Sequence, residues 1–413
     1  MKHLRHRNDC RLCGSTDLEC VLPIRPSAIG DAFIAADQLS EVQETYPLDT
    51  YLCLKCGHLQ NLDIVDPDVL FKHYTYHTSS SLGLVEHFKR YAASVVDMLG
   101  LAASSLVVEI GSNDGSLLKA FQAMGLKVVG VDPAQNIAAE ATAAGVPTVA
   151  DFFSSALAKK IRAERGPAAL VCANNVFAHA DDLADIVDGI HAVLAPDGVF
   201  VFEVSYVPDI IDNFVFDTIY HEHVSHHALI PLERFFGTHD MTLFDVERIA
   251  SKGGSIRGFA QIRSSGVRNR TPRLQQLVAN EEHRGIARPK IYRDFYEAIE
   301  LRKQATLQYL DAALASGKSV AGYGASTTTT TLLYHFELGP RLSFIVDDNP
   351  AKQGLYSPGY HLPVYASSHL FERRPDVVLI AAWTYADTII NRNREFLNGG
   401  GRFLVPLPEL RVV

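Results

Sequence analysis

Residues 105–122, SLVVEIGSNDGSLLKAFQ, have the pattern of a buried strand followed directly by a tight turn and a helix. The run LVVEI is nearly all apolar, as expected for a parallel strand covered on both faces, and the next strand, KVVGVD, ends at Asp132. Glycines let the backbone of such a turn approach a ligand, and a carboxylate at the end of the second strand can hold ribose hydroxyls. The pattern therefore predicts an α/β domain that binds a nucleoside.

The turn has the form GxNDG rather than GxGxxG, so it lacks the second glycine that lets a pyrophosphate lie against the backbone. This departure favours a nucleoside ligand without a pyrophosphate at the turn, and the acidic Glu109 and Asp114 suit a cationic ligand. Phe152 or Phe153, after the third strand, would lie against an adenine ring. The predicted ligand-binding residues at this edge of the sheet are Glu109, Gly111, Ser112, Asn113, Asp114, Gly115, Asp132, Phe152, Phe153, Asn174 and Asn175.

The whole chain has 413 residues, of which 47% are hydrophobic and 21% charged, a composition typical of soluble globular proteins. At roughly 150 residues per domain, this length predicts two to three domains. The formal net charge of −9 argues against nucleic acid as a partner. No apolar run approaches the roughly 18 residues of a membrane span, and the charged N-terminus leads into no signal-like apolar segment, so we expect a cytoplasmic protein.

Four of the six cysteines form two CxxC pairs, Cys10 with Cys13 and Cys53 with Cys56. In a reducing compartment, paired CxxC turns are typical of tetrahedral zinc sites, and a glycine after each pair permits the tight turn. A redox pair and buried thiols are the alternatives, but a redox CxxC usually stands alone beside a βαβ unit. Because four thiolates leave zinc no open position, we predict a structural zinc site in an N-terminal module with short strands, DAFIAA and YLCLKC.

The central region continues with alternating strands and helices and ends in a hairpin, MTLFDVERIA followed by SIRGFAQI. This order predicts a parallel sheet with one antiparallel edge strand. The strand ALVCA opens into Asn174 and Asn175 and then His179, at the carboxyl end of the strand, where ligand crevices of such sheets form.

Residues 217–227, DTIYHEHVSHH, carry a cluster of histidines after another strand end of this sheet. One interpretation is a metal site, since an HxH pair can present two imidazoles to one ion. Another is general acid–base chemistry, with His223 or His179 as base and Tyr220 as a donor or orienting group. The third is a polar helix start whose histidines are satisfied by solvent or neighbours. The residues alone leave all three open.

Several motifs follow one another along the whole chain. After the cysteine pairs come YTYHTSS (74–80), EIGSNDGSLL (109–118), VFAH (176–179), YHEH (220–223), a second glycine turn GYGA (322–325) and VDDNP (346–350). This ordered set resembles the three-domain S-adenosylmethionine (SAM)-dependent sugar C-methyltransferases, which act on nucleotide-linked 4-keto deoxysugars in branched deoxysugar biosynthesis.

The resemblance implies an α/β protein with three parts. These are an N-terminal zinc-binding module over residues 1–75, a central class I methyltransferase (Rossmann-like) domain over residues 76–266, and a C-terminal Rossmann-like half domain over residues 267–413. It also implies SAM as cofactor alongside the structural zinc.

The resemblance further implies that His223 of the YHEH motif is the catalytic base, assisted by His179, Tyr220 and Glu222, with Tyr74 near the sugar and Tyr76 beside it. A 4-keto group acidifies the hydrogen on the adjacent carbon, and a neutral imidazole, whose unperturbed pKa is about 6.5, can remove it. Hydrogen-bond donors can stabilise the charge that moves to the ketone oxygen before the carbon attacks the methyl group of SAM. We expect methylation at C3 of a 4-keto-6-deoxysugar.

The C-terminal third begins with a basic helical stretch, residues 270–316, and continues with the second glycine turn, whose helix N-terminus could meet the diphosphate of a dTDP- or GDP-linked sugar. In the family this turn is commonly followed by a lysine–glycine pair, whereas here Ser326 and a run of threonines stand instead, in the pattern of a helix start whose hydroxyls bond locally. The predicted substrate-binding residues are Tyr76, Lys252, Ser255, Arg257, Tyr323, Gly324, Ser326, Lys352 and Tyr356.

Other functions remain open at this point. Methylation at C5 or at an oxygen of a related sugar nucleotide would use the same motifs, and the two glycine turns are also compatible with an NAD-dependent sugar-nucleotide oxidoreductase or epimerase. A zinc module joined to a nucleotide sensor would not need the histidine, tyrosine and glutamate set. We expect a monomer or weak dimer.

Overall fold

The computed structural model of the protein describes residues 3–71, 78–80 and 83–413. The predicted residues Tyr74 and Tyr76 lie outside the described residues, as does the side chain of Lys252. Within the described part of the chain, no helix combines the length and the apolar character that a membrane span requires.

Strands and helices are numbered along the chain. The strands are β1 (Leu4–His6), β2 (Leu18–Leu22), β3 (Thr50–Cys53), β4 (Leu59–Asn61), β5 (Asp63–Val65), β6 (Leu106–Ile110), β7 (Lys127–Val131), β8 (Thr148–Val149), β9 (Ala168–Asn174), β10 (Leu194–Ser205), β11 (Ser225–His226), β12 (Met241–Ile249), β13 (Ser255–Ile262), β14 (Val320–Tyr323), β15 (Ile345–Asp347), β16 (Val364–Ala366), β17 (Val377–Ile380), β18 (Arg402–Val405) and β19 (Arg411–Val412). The α-helices are α1 (Pro67–Phe71), α2 (Leu84–Leu99), α3 (Ser116–Ala123), α4 (Gln135–Ala143), α5 (Ser155–Arg165), α6 (Leu183–Val193), α7 (Val207–Asp212), α8 (Leu229–Thr238), α9 (Pro272–Arg284), α10 (Pro289–Ala315), α11 (Thr327–His335), α12 (His369–Arg373), α13 (Ala386–Arg392) and α14 (Arg394–Asn398).

The central sheet has the strand order β12-β13-β10-β9-β6-β7-β8. Strands β10, β9, β6, β7 and β8 pair in parallel, and β6, the LVVEI run, is buried along its whole length. The prediction of one antiparallel strand is confirmed, but its place at the edge is wrong. Because the terminal hairpin inserts its second strand next to β10, the antiparallel β13 is internal and β12 forms the edge.

The N-terminal module contains a four-stranded sheet of order β11-β4-β3-β2 and a separate pair of β1 with β5. The predicted strand DAFIAA is wrong, because Ile34 makes only an isolated bridge, to Tyr356 of the C-terminal module. Strand β11 comes from the histidine cluster and pairs antiparallel with β4, with Ser225 opposite Gln60. The histidine segment thus forms the edge strand of the N-terminal sheet.

The C-terminal module contains a sheet of order β16-β15-β14-β17-β18-β19, parallel except for β19. The predicted basic stretch forms α9 and α10, and Leu274 of α9 packs in the core of the central sheet, whereas Tyr292 of α10 packs with the C-terminal core. An N-terminal zinc module, a central class I methyltransferase-like sheet and a C-terminal Rossmann-like sheet confirm the predicted fold class.

Candidate active site

A cavity of about 390 Å³ lies at the carboxyl ends of β6, β7 and β9. Ser112 of the glycine turn and Asp132 after β7 lie on its wall together with Thr78 from the YTYHTSS motif. Predicted residues that line it are Glu109, Gly111, Ser112, Asn113, Asp132, Phe152, Phe153, Asn174, Asn175, His179, Tyr220, Glu222 and His223. The fold therefore brings most of the predicted cofactor residues and the predicted acid–base residues around one space.

The glycine turn is held by hydrogen bonds to its own sheet. Backbone N–H groups of Asn113 and Ala134 donate to the two carboxylate oxygens of Asp132, at 2.8 and 3.0 Å. Gly111 has a φ of 66°, and a Cβ there would collide with Val176, so only glycine fits between the turn and the loop after β9.

Asn113 and Asp114, the polar residues that distinguish GxNDG from GxGxxG, accept hydrogen bonds from residues 78 and 79 beside the cavity. The amide oxygen of Asn113 accepts a hydrogen bond from the backbone N–H of Thr78, at 2.8 Å, and Asp114 accepts one from Ser79, also at 2.8 Å. Asp114 and Gly115, unlike the other predicted cofactor residues, are not among those that line the cavity. Part of the polar character of this turn thus serves to fix residues 78–80.

Two carboxylates, Glu109 and Asp132, line the cofactor end of the cavity, and Asp114 lies in the adjoining glycine turn. Burial, together with the charges of Asp132 and Asp114, raises the pKa of Glu109 well above its usual value. Burial also raises the pKa of Asp132, whereas hydrogen bonds from Ser116 and Ser79 more than offset the burial of Asp114 and lower its pKa. A cation in the cavity would relieve this repulsion, so the donor set fits the positively charged SAM.

The His223 side chain is oriented by its own loop. Its Nδ1–H donates to the backbone carbonyl of Thr218 at 2.7 Å, which leaves the lone pair on Nε2. The Tyr220 hydroxyl lies 3.0 Å from this Nε2, and the two ring centroids are 4.0 Å apart. The ring of His179 approaches from the loop after β9, with its centroid 5.1 Å from that of His223. The arrangement offers a neutral imidazole as base, beside a hydroxyl donor.

The other histidines of the cluster hydrogen-bond to separate partners in the interior. Nε2 of His221 donates to the Tyr46 carbonyl at 3.1 Å, and Nε2 of His227 donates to the Phe177 carbonyl at 3.3 Å. His226 donates to the Asn61 side-chain oxygen at 3.0 Å. Burial lowers the pKa of all three, to about 4 for His221 and His227, so they are neutral packing groups between modules. The cluster thus divides into one imidazole at the cavity, His223, and neighbours whose hydrogen bonds hold the same segment.

The four cysteines of the CxxC pairs converge in the N-terminal module, with all their Sγ atoms within 4.8 Å of one another. The Sγ–Sγ distances are 3.6 Å for Cys10 with Cys56 and 3.6 Å for Cys13 with Cys53. A Zn–S bond of about 2.3 Å in tetrahedral geometry places sulfurs about 3.8 Å apart, so the donor set fits zinc. The predicted ligands are therefore confirmed as a four-cysteine metal site.

The chain is similar to known proteins over nearly its whole length. Three family models match the chain: a zinc binding domain over residues 10–71, a methyltransferase domain over residues 84–251 and a C-methyltransferase C-terminal domain over residues 250–408. C-methyltransferase NovU of Streptomyces niveus is 36% identical over 411 residues, covering 99% of this chain and 98% of that protein. The chain belongs to the C-methyltransferase family.

Solved structures resemble only part of this C-methyltransferase. Magnesium protoporphyrin IX methyltransferase from Synechocystis PCC 6803, with bound SAH, is 14% identical and covers 43% of this chain and 84% of its own, at a TM-score of 0.34. The PH0226 protein from Pyrococcus horikoshii OT3 is 13% identical and covers 46% and 95%, at a TM-score of 0.37. The family assignment rests on the full-length relative and the three matched domains. The enzyme is a SAM-dependent C-methyltransferase with a four-cysteine zinc site, which removes the oxidoreductase alternative.

Among the predicted substrate-binding residues whose side chains the structure describes, none lines the cavity of this methyltransferase. Arg257 is buried and donates from Nε to Glu203 at 2.8 Å, and the Ser255 hydroxyl donates to the Ser251 carbonyl at 3.2 Å. Their roles toward substrate stay predictions, as do those of Tyr76 and Lys252.

The C-terminal candidates also have partners within the protein. The Tyr323 hydroxyl donates to Asp348 at 3.0 Å, and Lys352 forms an ion pair with Asp31 of the N-terminal module. Tyr356 bridges to the backbone of Ile34 in the same module. Ser326 caps α11, and Gly324, at a φ of 108°, begins the turn. Residues of the N-terminal module therefore pack beside this glycine turn, which sequence patterns gave no means to predict.

Sequence reasoning missed contacts between distant parts of the methyltransferase, two of which reach the histidine segment. Trp383 donates from Nε1 to the buried carboxylate of Asp217 at 2.8 Å, and the Thr331 hydroxyl donates to the Ile219 carbonyl at 3.1 Å. His87 of α2 lies 3.1 Å from Glu203 at the end of β10. No local pattern marks these residues, because each partner is far away in the sequence.

Removal of zinc should destabilise the N-terminal module. A Cβ on Gly57 would collide with Ala287 before α10, and Arg234 donates to the Cys56 carbonyl at 3.1 Å, so the second CxxC turn is packed against other modules. We expect chelation, with zinc loss verified by mass spectrometry, to lower Tm, and Cys53→Ser to do the same. Cys20→Ser, at an exposed cysteine outside the cluster, is the control and should keep zinc and Tm. An unchanged Tm after verified zinc loss would contradict a structural site.

SAM binding should release protons from Glu109. Since the pKa of Glu109 is raised in the free enzyme and a bound cation favours its ionised form, affinity should increase as the pH rises through that pKa. Isothermal titration in buffers of different ionisation enthalpy counts the released protons. Glu109→Gln should abolish most of the release, whereas Glu86→Gln, at an exposed helix position, should leave it intact. Equal proton release by the wild type and Glu109→Gln would rule out this role.

Acid should weaken the packing around the histidine segment. The pKa of His221 and of His227 is lowered to about 4, whereas both return to about 6.5 when unfolded, so the unfolded chain binds more protons between these values. The contribution of the two histidines to the free energy of unfolding is complete above pH 6.5. It should decrease as the pH falls toward 4, by on the order of several kcal/mol for the pair. Calorimetric Tm values at saturating zinc should show this decrease. His221→Gln with His227→Gln, which keep an N–H donor, should flatten it; an equal decrease in this double variant would assign the effect elsewhere.

Proposed function

We propose that this enzyme transfers a methyl group to C3 of a nucleotide-linked 4-keto-6-deoxysugar in branched deoxysugar biosynthesis. The observation that carries the proposal is the His223 imidazole, with its Nε2 lone pair beside the Tyr220 hydroxyl on the wall of the cofactor cavity. Methylation of carbon needs a carbanion equivalent, and a base next to a hydroxyl donor suits deprotonation beside a ketone. The full-length likeness to a C-methyltransferase supports carbon as the acceptor.

His223 is the proposed base, and Nε2 is the atom that takes the proton. The Thr218 carbonyl can only accept a hydrogen bond, so it holds the proton on Nδ1 and fixes the tautomer. When Nε2 removes the proton from the carbon beside the ketone, the electron pair moves to the ketone oxygen. The imidazolium that forms keeps its Nδ1–H bond to the same carbonyl, so the ring need not move during the step.

Tyr220 is the proposed donor to the ketone oxygen, and His179, whose ring centroid lies 5.1 Å from that of His223, is proposed to assist. Each donor aimed at such a developing charge typically contributes about 3–4 kcal/mol to transition-state stabilisation. Glu222 is only 8% exposed and lines the cavity, where it can orient a neighbouring side chain. Tyr74 is proposed near the sugar; it lies outside the described residues.

The cofactor and the nucleotide would occupy opposite parts of the site. When bound, SAM supplies an electrophilic methyl group on a sulfonium, and the residues proposed to hold it are those of the glycine turn with Asp132, the phenylalanines after β8 and Asn174. The C-terminal module is proposed to hold the diphosphate, through the Rossmann-like turn at Tyr323 and Gly324 and the loop that carries Lys352 and Tyr356. A dTDP or GDP group is the proposed carrier.

Incubation with SAM and a panel of dTDP-, GDP- and UDP-linked 4-keto-6-deoxysugars tests this function directly. A product one methylene heavier, with the new methyl located at C3 by NMR, is expected. A methyl group at C5 would keep the proposed base but change the carbon, since C5 also adjoins the ketone. A methyl ether, or no methylated member of the panel, would overturn the proposal.

Replacement of the proposed base should stop methyl transfer without loss of cofactor binding. His223→Asn should lower kcat by about 10²–10⁴-fold, the usual contribution of general acid–base catalysis, and leave the Kd for SAM nearly unchanged. The matched control is His191→Asn, since that side chain is 40% exposed and pairs with Asp240 on the surface. Near wild-type turnover by His223→Asn would remove this residue from the role of base.

A further inference from the structure

Arg11 lies inside the first CxxC turn, between two zinc ligands, yet its side chain is fully buried. A buried guanidinium is costly unless its N–H groups find acceptors. Its Nη1 donates to the backbone carbonyl of Val224 and to Gln60 at 3.2 Å, and its Nη2 donates to the Asn61 carbonyl at 2.8 Å. Nη2 also lies 3.4 Å from a carboxylate oxygen of Asp181. One side chain of the zinc module therefore reaches acceptors on several elements.

Two of these acceptors belong to the loops that carry the histidines at the cavity. Val224 directly follows His223, and Asp181 follows His179 by two positions. The same loops are tied by backbone bonds, because the N–H groups of Val224 and Ser225 both donate to the Ala178 carbonyl at 3.1 Å. The Val224 carbonyl also accepts from the Asn61 N–H at 3.0 Å. The guanidinium thus lies where the zinc module meets both histidine loops.

We propose that Arg11 is a positioning residue that holds the His179 and His223 loops together from the zinc-bound turn. The inference rests on the proposed roles of these histidines. The cysteines on either side fix the backbone of Arg11. From this fixed position its planar guanidinium bonds to both loops. The zinc site then contributes to catalysis through geometry, with no part in the reaction itself.

A lysine at position 11 cannot make all the contacts of the arginine. A guanidinium presents several N–H donors in one plane, whereas an ammonium is a single point charge on a flexible chain. Arg11→Lys keeps the charge but loses the simultaneous contact with Val224 and Asp181. Arg11→Met keeps an unbranched apolar stem but removes the guanidinium and every donor. The matched control is Arg5→Met, because Arg5 pairs with the same Asp181 from a side chain that is 61% exposed and makes no contact with Val224.

The test combines four measurements on the zinc-loaded, full-length variants: zinc content, SAM affinity by calorimetry, hydrogen–deuterium exchange, and turnover of the sugar nucleotide methylated in the panel. For Arg11→Met we expect wild-type zinc content and SAM affinity. We also expect faster exchange in both segments 174–182 and 217–227, and a kcat roughly 10²-fold lower, the usual cost of displacing a catalytic group by about 1 Å. Arg11→Lys should fall between Arg11→Met and the wild type, and Arg5→Met should match the wild type.

Wild-type exchange in both segments, with wild-type kcat, would overturn the proposal. Loss of zinc or of SAM binding in both Arg11 variants would assign Arg11 to the folding of the module and would overturn it equally. His223→Asn is measured alongside: if that variant is inactive while Arg11→Met is fully active, the inference fails and the proposed base stands. If His223→Asn is active, the proposed function fails, and the exchange data still decide whether Arg11 joins the two loops.

Discussion

Hydrogen bonds from the modules on either side fix the backbone of residues 217–226, and the position of the His223 ring depends on them. At one end, Trp383 of the C-terminal module donates to Asp217, whose pKa burial raises to about 7. At the other end, β11 pairs with β4 of the zinc module. Between these points the ring is oriented by the Thr218 carbonyl of the same segment. A loop alone could not hold an imidazole in one tautomer and one direction, because loop backbone has few internal partners.

The acidic side chains that line the cavity suit a cationic cofactor. Glu109 and Asp132 line the cofactor end, and burial raises the pKa of both, so a bound cation favours their ionised forms. The segment that carries the proposed base is tied to the C-terminal module through Asp217 and Ile219. The global net charge of −9 therefore says little about the substrate, because local carboxylates and donors decide which ligand binds where.

What the sequence could predict was local in the chain. The LVVEI strand, the glycine turn and the following helix are consecutive, and each CxxC pair needs one tight turn, so their structures follow from short-range patterns. The partners of the histidines could not be predicted, since His221 meets Tyr46 and His226 meets Asn61 across long stretches of chain. Histidines that are neighbours in sequence therefore lie in two places: the His223 side chain lines the cavity, whereas those of His221 and His226 bond to groups in the interior.

The charged residues that were predicted to bind substrate show the same limit of prediction from sequence. Arg257 and Lys352 have the residue types that bind phosphate, but in the structure Arg257 pairs with Glu203 and Lys352 with Asp31. Both carboxylates are remote in sequence, so residue type alone could not predict that either cation has a partner within the protein. Burial decides the matter for Arg257, because a buried guanidinium must have a partner in the folded chain.

The threonine run after the second glycine turn contacts the segment that carries His223 as well as the N-terminal module. The local prediction of a capped helix start holds for Ser326, which accepts from the Thr329 N–H at 3.3 Å. The next two threonines do more, because Thr330 donates to the Gly30 carbonyl at 2.9 Å and Thr331 to the Ile219 carbonyl at 3.1 Å. Both are buried and each hydroxyl meets a neutral backbone carbonyl, so a lysine at either position would bring a charge into this buried contact. Neutral hydroxyls can therefore join α11 to the N-terminal module and to the backbone of Ile219, near the proposed base, without a buried counter-charge.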